Sequence, residues 1–71
     1  MQYLVVIEKG DSSYGAYVPD LPGCVAAAES ESEVRQLIRE AIEFHIEGLR
    51  EHGKPVPVPN SSSAIVEVGA S

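Results

Sequence analysis

Asp20-Leu21-Pro22-Gly23-Cys24 is the stretch whose reading decides the fold. Pro22 presets φ for the first central position of a turn, and Gly23 can take the positive φ that a type II turn needs at the second. Leu21 and Cys24 then stand at its two shoulders. Upstream, Tyr14 to Val18 alternates larger and smaller side chains as an antiparallel strand does, and Pro19 ends it because proline cannot donate to a ladder. Downstream, Cys24 to Ala28 reads as a further strand. Its alanines are poor strand formers, so their small size predicts a close-packed neighbour above them.

Working outward, Tyr3-Leu4-Val5-Val6-Ile7 is a continuous apolar run and reads as a first strand covered on both faces. Gly10-Asp11-Ser12-Ser13 is a polar connection of hairpin length. Beyond the alanines, Ser30-Glu31-Ser32-Glu33 has the form of a capping box. In it Ser30 accepts from the Glu33 amide, and Glu33 reaches back to the Ser30 amide. Val34, Leu37, Ile38, Ala41, Ile42, His45, Ile46 and Leu49 follow as one apolar stripe of helical period. Gly53 suits the position just past the helix, and Pro55 blocks its continuation. Pro55, Pro57 and Pro59 stiffen the connection that follows, and Ala64-Ile65-Val66-Glu67-Val68 reads as a last strand, expected beside the first.

The expected fold is therefore α+β: a two-layer β-β-β-α-β unit with one helix packed on a mainly antiparallel sheet. Its strands fall at about 2–9, 14–18, 24–29 and 64–68 and its helix at about 31–52, all within a single domain spanning residues 1–71.

Composition excludes several functions. Five Lys and Arg stand against eleven Asp and Glu, a net charge of −6, and the cations are dispersed among acidic neighbours. Nucleic-acid binding needs clustered cations, so no direct DNA binding is expected, whereas a basic protein suits such a surface. One cysteine and two histidines make a poor metal set and allow no internal disulfide. With 71 residues the core is small, so self-association into a homodimer or higher homo-oligomer is expected. The amino terminus runs straight into a strand without a signal-like segment, and no apolar run is long enough for a membrane. The expected compartment is the cytoplasm.

Tyr14 to Cys24, the small strand at 26–28, the capped start at 30–33, Ala41-Ile42-Glu43 and the run from Gly48 to Pro57 together resemble the HicB-like antitoxins of prokaryotic toxin–antitoxin modules. The resemblance covers about residues 2–68 and implies a partial ribonuclease-H-like fold. It also implies a partner: a small basic HicA-like toxin ribonuclease that cleaves RNA with a histidine, which the antitoxin masks. Family members that repress their own operon carry a C-terminal DNA-binding segment. This sequence ends at about the place where that segment would begin, so operator binding by this chain is not expected.

A ribonuclease-H-like outline raises the question of catalysis. Glu8 at the end of the first strand, and Glu43 and Glu47 on the polar helix face, do not converge as a two-metal site requires. Catalytic, metal and cofactor residues are accordingly expected to be none. His45 reads as a core-edge histidine, His52 as a helix-end residue and Cys24 as a small buried hydrophobe. Tyr17, Asp20, Leu21 and Pro22 are the candidates for partner contact, since aromatics are enriched at interfaces and Tyr17 stands beside the turn. The alternative is a stand-alone regulatory or small-ligand module on the same scaffold without a toxin.

Overall fold

The computed structural model describes residues 1–69. Strands β1 (Val6–Lys9), β2 (Tyr14–Tyr17) and β3 (Val25–Ala28) form an antiparallel sheet in the order β1-β2-β3, and helix α1 (Glu31–Glu51) packs across one face. The first connection closes as expected, with the Gly10 amide donating to the Ser13 carbonyl at 2.7 Å. β2 and β3 are joined by a double turn. The Leu21 amide donates to Val18 (3.0 Å), the Cys24 amide donates to Leu21 (3.0 Å), and Gly23 takes φ +84°. That last turn is the type II turn that Pro22-Gly23 predicts. The Val18 amide to the Cys24 carbonyl (3.2 Å) extends the ladder by one rung beyond Tyr17↔Val25.

Directly opposed residues share a face of the sheet, so the register assigns both faces. Ile7, Ala16 and Ala26 form one inward row, and Tyr14 and Ala28 lie in the next. The core is Ala16, Val18, Leu21, Cys24, Val34 and Ile38, with Leu21 and Val34 retaining no accessible surface. The helix lies mainly over β3 and β2, so the alanines of β3 allow the close approach their size predicts.

Both helix ends are capped. The Ser30 hydroxyl accepts from the Glu33 amide at 3.2 Å and donates to the Glu33 carboxylate at 3.1 Å. The carboxylate thus meets the hydroxyl of Ser30, not the expected amide. Arg35 pairs with Glu31 at 3.1 Å, the i, i+4 spacing that supports a helix. At the other end the Lys54 amide reaches the Leu49 carbonyl (2.9 Å) and the Gly53 amide the Arg50 carbonyl (3.1 Å), with Gly53 at φ +66°. Those two bonds make a Schellman motif.

The structure corrects three expectations. Residues 64–68 are not a strand: they run without ladder bonds, Ile65, Val66 and Val68 being 103%, 76% and 72% exposed. A β-favouring segment becomes a strand only against a sheet edge, and this one reaches no edge of its own chain. The architecture within one chain is β-β-β-α. The first strand is not covered on both faces either; it is shorter than expected and lies at the sheet edge, with Val6 and Ile7, like residues 3–5 before them, only half-buried. Finally, the apolar stripe outruns the sheet. Twenty-one helical residues extend about 31 Å, whereas four-residue strands extend about 13 Å. Ile46 and Leu49 are consequently only half-buried, while Leu37, between the buried Val34 and Ile38, is exposed because it lies at the edge of the stripe.

Stability should follow these placements. Leu21→Ala should lower the unfolding free energy by about 2–5 kcal/mol, as for other fully buried leucines. Ser30→Ala should lower it by about 1 kcal/mol through the lost cap. Urea denaturation of the two variants checks the order, and a Leu21→Ala loss no larger than that of Ser30→Ala would contradict the core assignment.

Candidate functional site

The Val18–Cys24 corner gathers the residues singled out in the sequence and separates their roles. Leu21 points into the core, so its side chain is unavailable to a partner; this corrects its candidacy as a contact residue. The adjacent Pro22 is exposed, held outward by the same type II turn. Tyr17 ends β2 on the outer face of the sheet and is 41% exposed. Its register partners are Val6 on one side and Val25, 65% exposed, on the other. An apolar row Val6–Tyr17–Val25 therefore crosses the uncovered face beside the corner. The next row is Glu8–Gly15–Ala27, whose two small residues let a partner approach closely while Glu8 supplies negative charge.

Asp20 does something else. Its carboxylate accepts the Asn60 amide (3.0 Å), the Ser61 amide (2.9 Å) and the Ser61 hydroxyl (2.9 Å). The corner thereby fastens a segment forty residues away. The backbone donors of Asn60 and then Ser61 hold the Asp20 carboxyl below its ordinary range, partly offset by desolvation. The Tyr3 hydroxyl, donating to the Pro57 carbonyl, ties down the same segment a turn earlier.

Cys24 is buried, and burial pushes its thiol pKa up, so it stays protonated and unreactive near neutrality. His45 is half-buried on the helix, and His52 Nδ1 hydrogen-bonds the Gly48 carbonyl at 2.8 Å. Glu8, Glu43 and Glu47 are all exposed, and among the described residues no three His, Cys, Asp or Glu converge to hold a metal ion. Nor is any helix among the described residues long and apolar enough to cross a membrane.

The family model for HicB-like antitoxins of bacterial toxin–antitoxin systems matches residues 3–69. The chain belongs to the HicB-like antitoxin family. The solved N-terminal domain of the Burkholderia pseudomallei antitoxin HicB resembles it with a TM-score of 0.74 at 37% identity, over 82% of this chain and 69% of that one. A chain of the HicA3–HicB3 toxin–antitoxin complex gives 0.71 at 32% identity, over 84% and 70%. In sequence, an uncharacterised protein of Haemophilus phage HP1 is 43% identical over 84% of this chain. This chain spans only 45% of that relative's length. A UPF0150 protein of Thermoplasma acidophilum is 37% identical over 93% of this chain and 97% of its own length.

Two features of this HicB-like domain escape a reading of single residues. Val25 looks like any β-branched strand residue, and only the register sets it on the open face next to Tyr17. Phe44 interrupts no periodicity, yet it is 80% exposed where the helix passes beyond the sheet.

The Asp20 contact has a pH signature with a definite sign. Its pKa is depressed in the folded state, so it contributes stability above the unfolded carboxylate value and loses it as pH falls through the folded value. In an NMR titration the Asn60 and Ser61 amide signals should therefore move together, with a midpoint below the ordinary aspartate value of about 3.9. Asp20→Asn should abolish that step; independent titration of the two amides would contradict the shared acceptor.

Proposed function

We propose that this domain is the inhibitory half of a toxin–antitoxin pair, binding a small basic HicA-like ribonuclease in the cytoplasm and blocking it without catalysis of its own. What carries the reading is the family membership over residues 3–69, supported by the likeness to a chain of a solved toxin–antitoxin complex. The surface is consistent with such a role. The open sheet face offers the apolar row Val6–Tyr17–Val25 bordered by Glu8, and Pro22 stands at the neighbouring corner. A net charge of −6 attracts a basic partner and speeds encounter, while dispersed cations give DNA nothing to bind.

In this proposal Tyr17, Val25 and Pro22 contact the toxin directly. Aromatic and apolar anchors at the centre of a patch carry most of an interface's energy. Asp20 acts at one remove, holding the 60–61 segment in place beside the corner.

The test is coexpression with a HicA-like toxin, sought first in the neighbouring reading frame. The native domain should restore growth and come down with the toxin. Val25→Arg and Tyr17→Ala, both at exposed positions, should each weaken that complex about tenfold or more, equivalent to about 1.4 kcal/mol. Phe44→Ser, on the overhanging helix, should leave it unchanged. Failure of the native domain to bind or rescue would overturn the reading and favour a stand-alone regulatory module.

A further inference from the structure

Residues 64–68 have a strand's composition and no strand's partner. Ile65, Val66 and Val68 hold their side chains in solvent, although such surface gains about 25 cal/mol per Å² when buried. The same molecule carries an unfilled edge. Among the described residues β1 is paired on one side only, so its other side presents free N–H and C=O groups. Beside that edge, where the helix leans towards β3, an open groove of about 460 Å³ runs between β1 and α1. Val5, Ile7, Ile38 and Ile42 line its floor, and Arg35, Arg39 and Glu43 stand on its rim.

We propose that residues 64–68 of one chain pair with the free edge of β1 in a second copy, placing Ile65 and Glu67 over that copy's groove. The reciprocal exchange makes a closed, two-fold dimer in which each sheet gains its fourth strand.

Three observations bear on the choice, and the first selects a second copy over the chain's own edge. The first is the path of the connection. Tyr3 precedes β1 and Asp20 follows β2, so the two lie at the same end of the antiparallel pair. The chain touches Tyr3 at Pro57 and reaches Asp20 by Asn60 and Ser61. It has thus passed the end of β1 and crossed towards β2 before the apolar residues begin. To lie along its own β1, it would have to retrace that path and release the Asp20 latch. The second is reach. Residues 62–69 extend about 26 Å, twice the length of a four-residue strand, which suffices to bridge to a neighbour. The third is charge. Glu67 is the only charged residue after Lys54, and Arg35 and Arg39 are two of only five cations in a chain of net charge −6. Their present partners, Glu31 and Glu43, lie on exposed faces where an ion pair is easily exchanged.

The other edge is a poorer acceptor. α1 already covers the inner face of β3, and Val25 and Ala27 of that strand point outward.

The experiment uses the whole chain. Sedimentation equilibrium in the micromolar range should give a two-chain mass. Ile65→Asp with Val66→Asp should weaken dimerisation about tenfold or more while leaving the circular dichroism of the helix intact, since Ile65 shares the groove side with Glu67 and both substituted residues are exposed in the single chain. Glu67→Lys and Arg39→Glu should each weaken the dimer, and the two together should restore it. In a mixture of differently labelled chains, intermolecular NOEs should join residues 64–68 to β1. A one-chain mass at high micromolar concentration would overturn the proposal. So would a dimer indifferent to the aspartate pair, or NOEs that join the two segments only within one chain. No toxin enters these measurements, so the result stands or falls apart from the antitoxin reading.

Discussion

The rest of the structure depends on the burial of Leu21. It comes from a turn, not from a strand or the helix, yet it and Val34 are the two residues sealed completely inside. A turn residue can fill a core only if the turn itself is rigid. Two successive turns supply that rigidity, closing at Leu21 and Cys24, with Gly23 in a conformation that a side chain would strain. The chain spends Val18 to Cys24 on one corner, and three of those seven residues, Val18, Leu21 and Cys24, enter the core. In a domain this small, that corner supplies half of its fully buried apolar residues. Packing a turn into the core substitutes for a fourth buried element that the single chain does not form.

The same economy leaves surfaces open. One helix cannot cover both faces of a sheet, so the row Val6–Tyr17–Val25 faces solvent. Nor can it cover three strands evenly. Because it settles on the alanines of β3, the far strand β1 keeps a half-empty groove. Its length beyond the strands exposes Phe44. Each open surface follows from a mismatch in dimensions between one long helix and three short strands, and each is apolar. A protein that acts through contact has good use for such surfaces.

How much was legible in the sequence depended on the range of the interaction involved. Pro22-Gly23, Ser30 and Gly53 act within a few residues, and their turn and caps appear as read, only the Glu33 carboxylate taking the Ser30 hydroxyl in place of the amide. The alanines of β3 implied a close neighbour through size alone, and the helix is there. Residues 64–68 carried equally good local information, but a strand also requires an edge, and where an edge lies is not encoded locally. Leu21 was misassigned for a related reason: turn residues usually face solvent, and its inward direction depends on how the corner docks under α1. The Asp20 contact spans forty residues, and no pattern near Asp20 or Ser61 announces it. The candidate surface was half legible, since Tyr17 and Pro22 are exposed while Val25 emerges only through the register.

Asp20 connects these strands of argument, because it sits between the buried Leu21 and the exposed face that begins at Tyr17. A carboxylate with three donors from the 60–61 segment determines where the chain leaves the domain, and therefore in which direction its apolar end is aimed. Core, open face and exit path thus meet within Tyr17 to Cys24. A substitution there acts on several properties at once, so loss of binding at this corner identifies a contact residue only when folding and the exit path are shown to be intact. The exposed register partner Val25 lies just outside the corner and fills no core position, and for that reason it reports on the interface more cleanly than any residue within the turn.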